Sequence, residues 1–309
     1  MQDRTTKHLR SAALAIVLVG VAFVLAPCRE RNSGESVPGS LVLDSPVRIT
    51  ARGTASLLVT DYGLNSACEL DRVSLVPTSC FAIAGKPLGI AATADRIFVG
   101  NETLHTIEVY DRNGVKLSDM PGTFSIPTSL AVDDATGLLF ILDSGTRTIT
   151  VLTYAGDPVR TITGDAAGNG MFVNPVALAV DPVRQEILVS DYGNVNSSFS
   201  PPARIRIYTY AGVFVTAISG SSGFSRPQGL CVTGDRIFVT DGWLGQVLLF
   251  TRLSSTQTAS AGTLGSYGDG PGQLKLPLDV LVDPSSKDVY VTSNSAGRIE
   301  RFEKGGLIP

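Results

Sequence analysis

Histidine is nearly missing from this chain. Its 309 residues hold two, His8 and His105, and a zinc centre of the common kind asks for three or four imidazole, thiolate or carboxylate ligands. A Ser-His-Asp triad meets the same shortage, because His105 is the single imidazole outside the first thirty residues. Charge is also thin: 17% of residues are Asp, Glu, Lys or Arg, and the net charge is −3. The first 27 residues are net basic, with Arg4, Lys7 and Arg10 against Asp3, so the remainder is more acidic than the whole. That composition does not draw phosphate backbones, and no nucleic-acid partner is expected. Tryptophan occurs once, at Trp243, and an apolar run longer than a strand occurs once, from Ala12 to Pro27.

What is present is apolar and turn-forming. Hydrophobic residues make up 43% of the chain, with 32 glycines and 17 prolines, which is enough for a sizeable core and too little charge for disorder. Basic residues ahead of the Ala12 to Pro27 run give residues 1–28 the layout of an export signal or membrane anchor. At 16 residues the run is a little short for a spanning helix. Leu25-Ala26-Pro27-Cys28 resembles the lipobox of bacterial lipoproteins, with Pro27 where that pattern has a small residue. Uncleaved anchor, lipoprotein and cleaved signal stay open; each exports the folded part to the cell envelope. Residues 29–39, rich in Ser, Gly and Pro, read as a linker.

From residue 40 to 309 one unit repeats six times. Pro46, Pro87, Pro127, Pro175, Pro227 and Pro277 are spaced by 41, 40, 48, 52 and 50 residues. Each leads an apolar strand, and a second strand ends 14 to 16 residues after the proline at Asp61, Asn101, Asp143, Asp191, Asp241 or Ser293. A repeat of this length made of short strands is the form of a propeller blade. The expectation is an all-β, six-bladed propeller of four-stranded antiparallel blades. Asp133, Asp181 and Asp283 are expected to form the first turn of their blades, and the strand-end acids to fix their own loops by accepting backbone N–H bonds. The sixth repeat has a third strand in Gly297 to Lys304 and no room for a fourth. Leu41 to Leu43 is therefore expected to pair there as its outer strand and close the ring.

Leu130-Ala131-Val132-Asp133, Leu178-Ala179-Val180-Asp181, Arg204-Ile205 and Arg298-Ile299, with the prolines ahead of them, resemble the NHL-repeat family of six-bladed propellers over about residues 45–304. The resemblance implies the fold; families of this architecture include binding modules and enzymes alike. NHL-like peptide-amidating lyases rely on metal-binding histidines from several blades, which this chain lacks. Related lactonases hold calcium in the central channel with carboxylate and amide oxygens; here the innermost strands offer Arg48 and Asp279 among small and aliphatic residues. No cofactor and no metal-ligand set is expected. A metal-dependent lyase or hydrolase at the channel is the alternative reading, and a structural spacer is a third.

The favoured reading is a non-enzymatic binding scaffold, tethered to the membrane through its N-terminus only, with a protein, peptide or glycan as partner. The second-to-third-strand loops share one face of a propeller, and they collect Tyr62, Tyr192, Phe199 and Trp243. The Gly193 to Ala203 insertion adds Asn194 and Asn196. Aromatic groups among turn-rich polar loops are the composition of a recognition surface; the competing reading for Tyr62 and Tyr192 is that they cap their own blades. Of the cysteines, Cys231 is expected to be a buried core residue. Cys68 and Cys80 flank a predicted hairpin, and whether they pair is open.

Overall fold

The computed structural model describes residues 41–165, 170–193, 202–219 and 223–306. The export segment and linker expected over 1–28 and 29–39 lie outside them.

Six antiparallel sheets follow one another around a ring. Blade one is β1 (Pro46–Arg52), β2 (Ser56–Asp61), β3 (Ser66–Asp71) and β4 (Pro77–Ala82). Blade two is β5 (Pro87–Ala92), β6 (Arg96–Asn101), β7 (Thr106–Asp111) and β8 (Lys116–Asp119). Blade three is β9 (Pro127–Asp133), β10 (Leu138–Asp143), β11 (Thr148–Thr153) and β12 (Pro158–Ile162). A short ladder, β13 (Gly164–Asp165) with β14 (Gly170–Met171), leads to blade four: β15 (Pro175–Asp181), β16 (Glu186–Asp191), β17 (Arg204–Thr209) and β18 (Phe214–Ser219). Blade five is β19 (Pro227–Thr233), β20 (Arg236–Asp241), β21 (Gln246–Arg252) and β22 (Thr258–Leu264). A second ladder, β23 (Ser266–Tyr267) with β24 (Gln273–Leu274), precedes blade six: β25 (Pro277–Val282), β26 (Val289–Ser293) and β27 (Arg298–Phe302). The fold is the expected six-bladed β-propeller.

The proline spacing has a direct geometric cause. In every blade the proline stands opposite the end residue of the second strand: Pro46 with Asp61, Pro87 with Asn101, Pro127 with Asp143, Pro175 with Asp191, Pro227 with Asp241 and Pro277 with Ser293. A break in register lies beside each pair. Proline has no N–H to lose at a strand start, and in four blades the two N–H groups before it are taken by the strand-end aspartate. Asp61 accepts from Asp44 and Ser45, Asp143 from Ser125 and Ile126, Asp191 from Val173 and Asn174, and Asp241 from Ser225 and Arg226. The same carboxylates also take N–H groups of the loops they begin. Asp133, Asp181 and Asp283 hold their first turns in the expected way, each accepting from residues two or three further on.

Apolar residues pack between blades rather than into one central core, in six clusters. Four interfaces contain a buried residue three positions before the proline: Phe124, Phe172, Phe224 and Leu274. Leu43 occupies that same slot ahead of Pro46 and packs with Ile49, Leu57, Tyr290 and Ile299 where blade six meets blade one.

This corrects the expectation for the chain start. Residues 41–43 form no strand, and blade six has three strands among the described residues. Leu43 is 8% exposed while Leu41 and Val42 are 45% and 59% exposed, so the triplet does not alternate as a strand partner of β27 would. Closure is made on the inner side instead. The Ile49 N–H donates to Asp279 Oδ2 at 3.0 Å, Thr292 Oγ1 to the Val47 carbonyl at 3.2 Å, and Asn294 Nδ2 to the Pro46 carbonyl at 3.1 Å. Cys68 and Cys80 face each other across β3 and β4 and are joined by a disulfide.

Candidate functional site

The inner strands surround a channel, and Arg48 fills it. Its Nε donates to the Thr128 carbonyl at 3.0 Å and its Nη1 to the Leu278 carbonyl at 2.8 Å, while Nη2 donates to the Val176 carbonyl. One side chain of blade one thus bonds to blades three, four and six. The position two residues after each proline makes this possible: opposite Arg48 the ring holds Gly89, Ser129, Ala177, Gly229 and Asp279, which are small apart from the last. A Cβ on Gly229 would stand 2.2 Å from Asp279 Oδ1, so no larger residue fits there without displacement.

Beyond Arg48 the strands enclose a cavity of about 190 Å³, walled by Ile90, Leu130, Leu178, Leu230 and Val280 with Cys231 and Asp279 as its reactive groups. Asp279 Oδ1 lies 3.6 Å from the guanidinium, too far to share its protons. Burial outweighs the lowering charge of Arg48 and pushes the Asp279 carboxyl up to about 6. Burial likewise pushes the Cys231 thiol up to about 11, and a thiol held in that form is a poor nucleophile. Among the described residues no group of three or more His, Cys, Asp or Glu side chains is placed to hold a metal ion. His105 sits exposed at its turn with φ of 56°.

On the loop face the expected aromatics divide. Tyr62 is buried in its corner, its hydroxyl donating to Glu102 at 3.1 Å and the Lys86 ammonium lying 4.6 Å from its ring centre. Burial, then Glu102, pushes its hydroxyl up to about 12. Tyr192 is also buried, with the Arg226 guanidinium 5.4 Å from its ring centre, and burial raises its hydroxyl too. Both rings wedge corners. Phe199, Asn194 and Asn196 lie outside the described residues.

Trp243 is different. It is 73% exposed on a corner with little freedom: Asp241 Oδ1 accepts the N–H groups of Trp243 and Leu244, each at 3.0 Å, and the Gly245 N–H donates to the Asp241 carbonyl. Gly245 has φ of +64°, and its missing Cβ would meet Tyr267 Cα at 2.8 Å, so only glycine suits the position. Tyr267 is the residue that sequence reasoning missed. It is 62% exposed and lies in the link from blade five to blade six rather than in a second-to-third-strand loop. An aromatic within the glycine-rich stretch Gly265 to Gly272 was the signal for it. That link is held by the Arg298 guanidinium on the Gly270 and Gln273 carbonyls, and by Glu300 accepting the Gly272 N–H.

Comparison with known proteins agrees with the fold. The chain is similar to the hydrazine synthase of Kuenenia stuttgartiensis, with 17% identity over 90% of this chain and 80% of that one and a TM-score of 0.62. It is also similar to a structural genomics protein of unknown function from Bacteroides thetaiotaomicron VPI-5482, with 15% identity over 86% and 71% of the two chains and a TM-score of 0.64. Identities this low speak for shared architecture alone. No family model and no curated protein matches the chain.

Proposed function

We propose that this is an exported, membrane-tethered propeller of the NHL type that acts as a non-enzymatic binding scaffold for a protein, peptide or glycan. The observation that carries the reading is Trp243: the chain's only indole, exposed, on a backbone corner fixed by Asp241. A large rigid aromatic in water is uncompensated in the free protein, and ordering it in advance lowers the cost of binding. The channel is a poorer candidate, because the Arg48 guanidinium bonds carbonyls of three blades inside it and its charge repels a cation brought there. Export rests on Arg4, Lys7 and Arg10 ahead of the apolar run, and the Cys68–Cys80 disulfide suits an oxidising compartment.

The test is capture of the partner from envelope extracts by the immobilised full-length protein. Truncating an aromatic anchor typically costs about 2 to 4 kcal/mol, or roughly 30- to 1,000-fold in affinity. Trp243→Ala is therefore expected to abolish capture while the circular dichroism spectrum stays unchanged. Undiminished capture would place recognition elsewhere on the disc.

A further inference from the structure

We infer that the ligand class read by this face is a polysaccharide whose pyranose rings carry equatorial substituents, stacked on Trp243 and Tyr267; the inference rests on the scaffold reading above. The two exposed aromatics stand on adjoining loops. Gly245 abuts the backbone of Tyr267, and two Cα steps of 3.8 Å separate it from Trp243, so the two Cα atoms are at most about 12 Å apart. That span suits two successive sugar rings rather than one small ligand.

The surroundings choose among ligand classes. Protein hot spots sit in apolar surroundings that exclude water; along the chain the two rings are flanked here by Gly242, Ser266 and Gly268, with Asp269 and Gly270 next, and the one apolar flanking residue, Leu244, is partly buried against the core. A lipid interface favours aromatics backed by aliphatic and basic residues, whereas here the side chain of Asp269 is half exposed beside Tyr267 and paired to Lys275 at 2.6 Å. A sugar fits both halves of the pattern. Its axial C–H groups carry slight positive charge and pack on the negative face of an indole or phenol ring, and its hydroxyls find a carboxylate and an ammonium beside Tyr267. Asp241, Arg298 and Glu300 bond backbone groups of the two loops, so the corners that carry the rings are set before ligand arrives.

Trp243 is the only tryptophan, so its fluorescence reports the site without a label. The full-length chain reconstituted with phosphatidylcholine vesicles is titrated with chitohexaose or cellohexaose while iodide quenching is followed. The expected result is a solvated, quenchable indole before sugar and a saturable blue shift with loss of quenching for at least one of the two sugars. Tyr267→Ala, which keeps the reporter, is expected to weaken the apparent affinity at least tenfold; Leu104→Ala, on a distant loop, is expected to leave it unchanged. No response to either sugar at millimolar concentration, or a titration indifferent to Tyr267→Ala, would overturn the inference. An indole already blue-shifted and protected by the vesicles alone would overturn it in favour of lipid. If Trp243→Ala abolishes capture of a protein or peptide while both sugars are silent, the scaffold reading stands and the glycan assignment falls.

Discussion

At the scale of single residues, Asp279 shows burial outweighing the attraction of a neighbouring cation, Arg48. With its folded value about 6 against an ordinary 3.8, the folded protein holds this proton where the unfolded chain releases it. The associated stability is fully present below about pH 3.8, falls as pH rises, and is gone above pH 6. The loss amounts to about 3 kcal/mol. Asp283 and Asp288, lowered by backbone and arginine contacts, act in the opposite direction, so the wild-type profile alone is not diagnostic. The expected outcome is that Asp279→Asn gains about 3 kcal/mol relative to wild type between pH 4 and pH 7, read as a difference of urea unfolding free energies. A constant difference across that range would show that Asp279 titrates normally. The residues that mattered were unevenly legible. Trp243 announced itself as the sole indole, and the strand-end acids by their recurrence. The three-carbonyl grip of Arg48 did not, because it joins groups up to 230 residues apart in sequence, and no local spacing encodes which way a side chain crosses a channel.

Single elements were easier to foresee than the joints between them. The six strand pairs led by proline were readable because the proline recurs opposite the end of the second strand in every blade, and in four of them an aspartate there accepts the two N–H groups before the proline. Leu41 to Leu43 misled for a physical reason: three apolar residues read as a strand, and an incomplete sixth repeat invites one. The alignment that would have helped is with Phe124, Phe172, Phe224 and Leu274, each three residues before its proline. A wedge and a strand respond differently to truncation. Leu43→Ala is expected to destabilise by about 2 to 4 kcal/mol through a cavity between blades six and one, whereas Leu41→Ala and Val42→Ala are expected to stay within about 0.5 kcal/mol. Thermal unfolding of the three variants checks this, and equal losses at all three positions would restore the strand.

For the whole molecule the prediction concerns where it resides and in which redox state. On the proposed export through the basic, apolar N-terminus, fractionation is expected to find the protein in the envelope with Cys68 and Cys80 bonded. Closing that 12-residue separation constrains the unfolded chain by about 3 kcal/mol, and reducing agent is expected to lower the melting temperature accordingly. A soluble cytoplasmic protein with both thiols free would end the reading.

Arg48 changes what kind of object the disc is. An array in which each repeat touches only its neighbours has a stability that is a sum of local terms, and it loosens from its ends. Here one guanidinium reaches three blades that are not its sequence neighbours, including the last. Opening any one of them takes hydrogen-bond acceptors away from a buried guanidinium and penalises the rest, so the array acquires a hub. Six repeats are thereby made to melt together, and the corner carrying Trp243 inherits the rigidity of the full circle rather than that of blade five.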